Sequence, residues 1–181
     1  MEFSELLTTR QSVRKYQQRP VEEEKIARLL EAVRLAPSAS NSQPWKVIIV
    51  NEPALKDAVA RATFSTLVSF NKFVPQAPLL AVFTIERPKV ITRIGARLKD
   101  REFPLIDIGV AATHFCLQAT ELGLGTCMLG WFDEAAIQGL LHIPKRTRIG
   151  LLITVGYAVD GYPLRKKIRK DVVEMSSFNR Y

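Results

Sequence analysis

Arg10, Ser12 and Arg14 alternate near the start of the chain, and Lys167 and Arg169 are spaced the same way near its end. Guanidinium forks match phosphate oxygens, and a hydroxyl adds a donor without adding repulsion, so the chemistry these residue types suit is the holding of an anion. In an extended segment side chains alternate, which projects Arg10, Ser12 and Arg14 to one side and turns Gln11 and Val13 to the other. A helix would still leave Arg10 and Arg14 on one face. The competing reading is a basic helix end open to water.

A second constellation is the run Ala36-Pro37-Ser38-Ala39-Ser40-Asn41-Ser42-Gln43-Pro44-Trp45. Its two prolines fix their own φ and restrict the residues before them, while hydroxyls and primary amides supply donors and acceptors. Alone, the run reads as a helix stop followed by a strand entry. Beside an anion site, it suits a flat polar heterocycle, and the two together look like a flavin site.

Taken in order, Arg10-x-Ser12-x-Arg14-x-Tyr16, the Ala36 to Trp45 loop, the Asp107 to Gly125 helix with its glycine end, the Leu129-Gly130-Trp131 turn and Lys167-x-Arg169 resemble the FMN-dependent nitroreductase family over nearly the whole chain. The resemblance implies an α+β fold with a central mixed β-sheet flanked by helices, in an intertwined homodimer with FMN at the subunit interface. It implies ping-pong transfer of hydride from NADH or NADPH through flavin to a nitroaromatic, quinone or related small acceptor. It also implies roles. Arg10, Ser12, Lys167 and Arg169 would hold the phosphate, with Gln11 in the same motif, and Arg14 would lie toward the ribityl chain and the N1 and O2 edge of the ring. A cation there would favour the charge the ring gains on reduction. Pro37, Ser38, Ala39 and Ser40, with Asn41 beside them, would approach the ring from the partner subunit. Gln43 and Asn71 would hydrogen-bond its pyrimidine edge or nearby backbone, Asn71 having a loop role as its alternative. Gly130 would admit the backbone close to N5 and O4, flanked by Leu129 and Trp131, although Trp131 could equally serve the core.

At 181 residues and 47% hydrophobic content, the chain has the size and apolar fraction of one domain spanning 1–181. No apolar leader follows Met1 and no stretch of about 18 uncharged apolar residues occurs, so the expected location is the cytoplasm, away from membrane. The net charge of +8 raises nucleic-acid binding as an alternative function. The cations are scattered and no RNA-binding aromatic motif, zinc finger or basic zipper accompanies them, so no nucleic-acid partner is expected. A flavin-binding dimer without turnover is a further alternative. Cys116 and Cys127 lack redox or zinc spacing and read as core residues; His114 and His142 stand apart, and no metal is expected. No triad, paired carboxylate site or activated thiol stands out, so the chemistry falls to the cofactor and no side chain is assigned as catalytic.

The elements that must position these residues can be read from patterning. Glu2 to Thr9 is expected as a short helix, and Glu22, Glu23 and Glu24 suit the positive end of a second, whose apolar face is Ile26, Leu29, Leu30 and Val33. Lys46 to Val50, Leu79 to Ile85, Thr126 to Leu129 and Ile149 to Val155 are strand candidates. Ile106 to Leu122 is apolar on more than one side, which predicts a fully buried helix at a dimer interface. Gly123 and Gly125 lack the third glycine of a dinucleotide fingerprint and read as a helix C-cap followed by a tight turn. Between 86 and 104, Arg93, Arg97 and Arg101 with Ile94 and Leu98 suggest an amphipathic helix, either a solvated arginine face or a short lid over the pocket.

Overall fold

The computed structural model describes residues 1–66, 69–86 and 102–181. The helices are α1 (Phe3–Thr9), α2 (Glu23–Arg34), α3 (Pro53–Arg61), α4 (Phe103–Glu121), α5 (Glu134–Leu140) and α6 (Val172–Met175). The strands are β1 (Trp45–Val50), β2 (Leu79–Ile85), β3 (Gly125–Leu129) and β4 (Arg148–Gly156). All four expected strands are present. The proposed lid falls almost wholly on 87–101 and so lies outside the described residues.

The strands form one sheet in the order β1-β2-β4-β3, each neighbouring pair antiparallel. The sheet expected to be mixed is thus antiparallel in all its named strands; among the described residues the parallel pairing is an isolated bridge between Ser12, in the segment after α1, and Thr126. β2 is central and apolar at nearly every position, because helices cover both faces. Its Leu79, Ala81 and Phe83 face a layer made by α2 and α4, with Leu29, Val33, Ala111, Phe115 and Ala119 buried there. Leu80 and Val82 face the other layer, where Val13, Tyr16, Val59 and Ile137 are buried. Phe83 and Phe115 meet edge to face, centroids 5.7 Å apart, and both are fully buried. Each such ring contributes about 1.5 to 3 kcal/mol by leaving water.

Local chemistry sets several boundaries. Glu52 accepts from the N–H groups of Ala54 and Leu55 ahead of Pro53, and Asp133 accepts from Ala136, so α3 and α5 both begin on an acidic cap. α4 stops where expected: Gly123 adopts φ +75°, and Leu124 N–H returns to Ala119 O at 2.8 Å. The expectation of full burial for this helix holds on one side only. Asp107, Ile108, Ala111, Ala112, Phe115, Cys116 and Ala119 are buried, whereas Leu105 and Ile106 are exposed, since one chain has elements to cover only one side.

A polar knot ties α2 to the ends of α4 and β4. The Tyr157 hydroxyl donates to Glu22 Oε2 at 2.7 Å and accepts from Lys25 Nζ at 2.7 Å, and Lys25 also donates to Leu122 O at 3.0 Å. Arg19 lies 4.0 Å from the Tyr157 ring centroid. The Tyr157 hydrogen bond, backbone donation and then Arg19 hold the Glu22 carboxyl down at about 2. No described helix is long and apolar enough to cross a membrane.

Candidate functional site

α1 ends at Arg10, whose N–H closes on Leu6 O at 2.9 Å, and the chain then runs extended beside β3. Val13 N–H donates to Thr126 O at 2.8 Å, and its buried side chain packs against Gly125. A Cβ at Gly125 would lie 2.6 Å from Val13 Cγ2, which explains glycine at the start of β3. The next contact fixes the far end: the buried Tyr16 hydroxyl donates to Val13 O at 2.8 Å and shares a hydrogen bond with Thr154 at 2.7 Å. Burial drives that phenol far above its ordinary range, so it remains neutral.

The segment after β4 returns across this strand. The Arg14 N–H donates to the Tyr162 hydroxyl at 3.1 Å, and Arg165 Nη2 donates to the same oxygen at 3.1 Å. Gln11 acts as a clasp, since its Nε2 donates to Pro163 O at 3.1 Å while its Oε1 accepts from the Arg165 N–H at 3.0 Å. Lys167 Nζ donates to Arg10 O at 2.5 Å. The two segments expected to carry an anion are thereby held side by side, with Lys167 at Arg10, Gln11 at Pro163 and Arg165, and the Arg14 main chain at Tyr162.

Electrostatics register the crowding. Partial burial, then the Arg10 and Arg169 guanidinium groups, push the Lys167 ammonium below its ordinary range. Burial raises the Cys127 thiol, against the opposing pull of Arg14, a hydrogen bond with Ser12, Arg10 and Arg165. Burial likewise pushes Cys116 up to about 11. Both cysteines are buried and free, and neither is an activated nucleophile. Among the described residues, none of Arg10, Arg14, Arg165, Lys167 and Arg169 makes an ion pair with a carboxylate. Five adjacent cations without an internal counter-ion favour an anionic ligand.

The polar loop is built differently. Ser40, Asn41 and Gln43 all have positive φ, at 53°, 49° and 47°. Each costs a non-glycine residue about 1 to 3 kcal/mol, and the loop's own bonds hold them there. Ala39 N–H donates to Asp107 Oδ1 at 3.0 Å, Gln43 N–H to Ser38 Oγ at 2.9 Å, and Gln43 Nε2 to Asn41 Oδ1 at 2.9 Å. Pro37, Ser40, Asn41 and Gln43 are exposed, with Ser38 and Ala39 partly so. Asp107 Oδ2 is buried and has no hydrogen-bond partner among the described residues. These bonds run within the loop and to α4, not to the cationic segments.

Beyond β3, Leu129 is buried, Gly130 has open space where a Cβ would stand, and Trp131 is 59% exposed, so the core role considered for Trp131 is not met. Asn71 is buried, and its amide donates to Thr63 O at 3.0 Å and Trp131 O at 3.1 Å, holding the turn by its backbone. Phe70 meets the Trp131 ring edge-on at 6.4 Å. Thr126, bonded to the Ser12 strand, and Gly130 are four positions apart, about 13 Å along an extended chain. The anion site and the open turn can therefore serve one elongated ligand.

Patterning did not single out Tyr162, Arg165 or Asp107. Arg165 precedes Lys167 by the same two-residue step that separates Lys167 from Arg169, and that alternation was the available signal. α3 and α5 were also unread, although the pairs Glu52-Pro53 and Asp133-Glu134 mark their starts.

The model of the nitroreductase family matches residues 7–157. An NADH dehydrogenase from Thermus thermophilus is 28% identical, over 85% of this chain and 86% of that protein. A 5,6-dimethylbenzimidazole synthase from Rhodobacter capsulatus is 32% identical, over 78% of this chain and 76% of that protein. Among solved structures, an FMN-dependent nitroreductase from Clostridium difficile R20291 superposes with a TM-score of 0.76 at 26% identity, covering 97% of this chain and 98% of that one.

Proposed function

The chain belongs to the nitroreductase family and is accordingly a flavin-dependent NAD(P)H oxidoreductase, and from that premise we propose that it works as a homodimer holding FMN. The observation that carries the assignment of FMN is that Lys167 bonds Arg10 O and lies beside the Arg10 and Arg169 guanidinium groups, next to the Ser12 and Arg14 strand, with no carboxylate paired to these cations among the described residues. Arg10, Ser12, Lys167 and Arg169 fit a phosphate: two guanidinium groups, one ammonium and one hydroxyl all donate, and none accepts except the hydroxyl. Gly130 leaves its main chain open to a flat ring, and Asn71 holds the following carbonyl in place. When bound, FMN would take hydride from NADH or NADPH and deliver electrons to a small acceptor such as a nitroaromatic or a quinone.

The protein's contribution is position, charge and access. Gln11 and Lys167 lock the C-terminal segment onto the Arg10 strand, and the Tyr162 hydroxyl holds Arg14 from behind. One open pocket serves reductant and acceptor in turn, giving ping-pong kinetics.

A second copy is supported by apolar surface that one chain leaves uncovered. Ile106 on α4, Phe3 and Leu7 on α1, and Leu35 are each at least half exposed. A groove of about 410 Å³ lined by Phe3, Leu6, Ala32, Leu35, His114 and Leu117 lies among α1, α2 and α4. In the C-terminal segment Ile168, Val172, Val173 and Phe178 are also exposed, an arrangement suited to embracing a partner. The exposed Ser40, Asn41 and Gln43 would then reach the partner's ring.

Anaerobic mixing with NADH and NADPH, followed by reoxidation with a panel of acceptors, tests the reading. Yellow protein that bleaches with nicotinamide and recovers with acceptor supports it, together with parallel double-reciprocal lines. Protein that neither carries nor binds FMN overturns it, and intersecting lines overturn the alternation.

A further inference from the structure

Ser40, Asn41 and Gln43 hold left-handed backbone, at φ 53°, 49° and 47°, with no glycine among them. Such a conformation persists only where its surroundings over-determine it. Inside the loop, Gln43 N–H donates to Ser38 Oγ and Gln43 Nε2 to Asn41 Oδ1, each at 2.9 Å. These bonds set the shape of the loop but not its place on the molecule. Place comes from Ala39, which opens the turn and donates its N–H to Asp107 Oδ1 at 3.0 Å. We propose that Asp107 is a positioning residue for the flavin ring: acting through Ala39, it holds Ser40, Asn41 and Gln43 where they meet the ring carried by the second copy. The inference rests on the flavin and dimer reading above.

The cost of the anchor is the first reason. Asp107 is 4% exposed, its Oδ2 is buried with no hydrogen-bond partner among the described residues, and no cation there forms an ion pair with it. Desolvating a carboxylate and satisfying one of its oxygens is a costly way to brace a surface loop for stability alone. The second reason is the turn of α4 on which Asp107 sits. Its neighbour Ile106 is 55% exposed on the side left for a second copy, so one helical turn carries the proposed interface on one side and the loop anchor on the other. A loop registered on that turn is registered on the interface too. The third is direction: Ser40, Asn41 and Gln43 are exposed, and the bonds that hold them run within the loop and to α4, not to Arg10, Lys167 or Arg169 of their own chain.

Ring contact and phosphate contact are separable by ligand. Riboflavin has the ring without the phosphate, so a displaced loop should weaken FMN and riboflavin by the same factor, whereas a lost cation should weaken FMN alone. Asp107→Ala removes the acceptor. Ala39→Pro removes the donor from the loop side and leaves α4 unaltered; Ser38 before it is extended at φ −149° and ψ 157°, as the residue ahead of a proline must be. Asp107→Asn keeps an acceptor. The full-length variants are titrated with both flavins by fluorescence, below the lowest of their thermal midpoints, beside Arg169→Ala.

Asp107→Ala and Ala39→Pro should each weaken both flavins about tenfold, while Asp107→Asn stays within about threefold of the unaltered chain. If Asp107→Ala does not fold, Ala39→Pro carries the same comparison. Co-expression of Asp107→Ala with Arg169→Ala under two tags gives a mixed dimer that tests direction. With Asp107 serving the partner's ring, one of its sites keeps both its cations and the loop facing them, and binds FMN at the unaltered affinity. Two equally weakened sites would turn the loop toward its own chain's ring and overturn the proposal. Unchanged riboflavin affinity in the folded variants, with only a lower thermal midpoint, would reduce Asp107 to a structural brace and overturn it as well. So would an equal loss in Asp107→Asn and Asp107→Ala. An unaltered chain that binds neither flavin would remove the flavin reading itself, and the role of Asp107 with it.

Discussion

Asp107, in the second turn of α4, accepts the Ala39 N–H at 3.0 Å and so anchors a loop in which Ser40, Asn41 and Gln43 all carry left-handed backbone. The loop's conformation therefore depends on a carboxylate 68 residues away in sequence. Asp107→Ala should cost about 1.5 to 3 kcal/mol, the range for a hydrogen bond to a charged group. Asp107→Asn keeps an acceptor for Ala39 and leaves the second, unpartnered position no better satisfied, so it should cost less than Asp107→Ala. Urea unfolding of the two variants checks the order; equal losses would show that the anchor is not what the carboxylate provides.

The phosphate cluster makes a separate prediction. Arg10→Ala or Arg169→Ala should weaken FMN by about 1.5 to 3 kcal/mol and leave riboflavin affinity nearly unchanged. Quenching of flavin fluorescence reads both constants. Unchanged FMN affinity in both variants would move the phosphate elsewhere.

Ile106 is 55% exposed at the open side of α4. A charge there would have to be desolvated in any interface formed by that side, so Ile106→Glu should shift the protein toward monomer and release flavin with it. Sedimentation velocity at micromolar concentration decides this. A stable, FMN-loaded monomer of the unaltered chain would rule out a site shared between subunits.

Acid stability should report the Tyr157 knot. The Glu22 carboxyl sits at about 2 in the fold against an ordinary 4.5, so its contribution is complete above about pH 4.5 and is lost as pH falls toward 2. Glu22→Gln should flatten that part of the profile when the thermal midpoint is followed from pH 6 to 2. High salt should shrink the part supplied by Arg19, which is exposed. An unaltered acid limb in the variant would assign the loss to other carboxylates.

What the sequence disclosed follows the range of the forces involved. β2 and β4 were legible because a strand covered on both faces must be apolar throughout, and Gly123 was legible because a left-handed C-cap is a local demand. The alternation of Arg10, Ser12 and Arg14 survived because an extended chain has a fixed period. Gln11 shows where such reasoning stops. Its residue type and position suggest a ligand contact, yet both of its amide atoms engage backbone at Pro163 and Arg165, a pairing across more than 150 residues. The roles of Asp107 and Tyr162 were hidden for the same reason. The outer side of α4 reads as core from composition because residue type records an apolar surface without recording whether anything covers it.

The bond from Lys167 to Arg10 spans 157 positions, and that has a consequence for biosynthesis. At about 5 to 20 residues per second, roughly 8 to 30 s pass between synthesis of its first and last partner. During that interval the Arg10 strand is already made while the chain that completes the cation cluster is not. All four strands of the sheet are thus made before Lys167 is, so on the proposed reading phosphate can be held firmly only once that residue has been added. Truncation even a few residues before Lys167 would yield a chain with its sheet intact and its principal anion clasp missing.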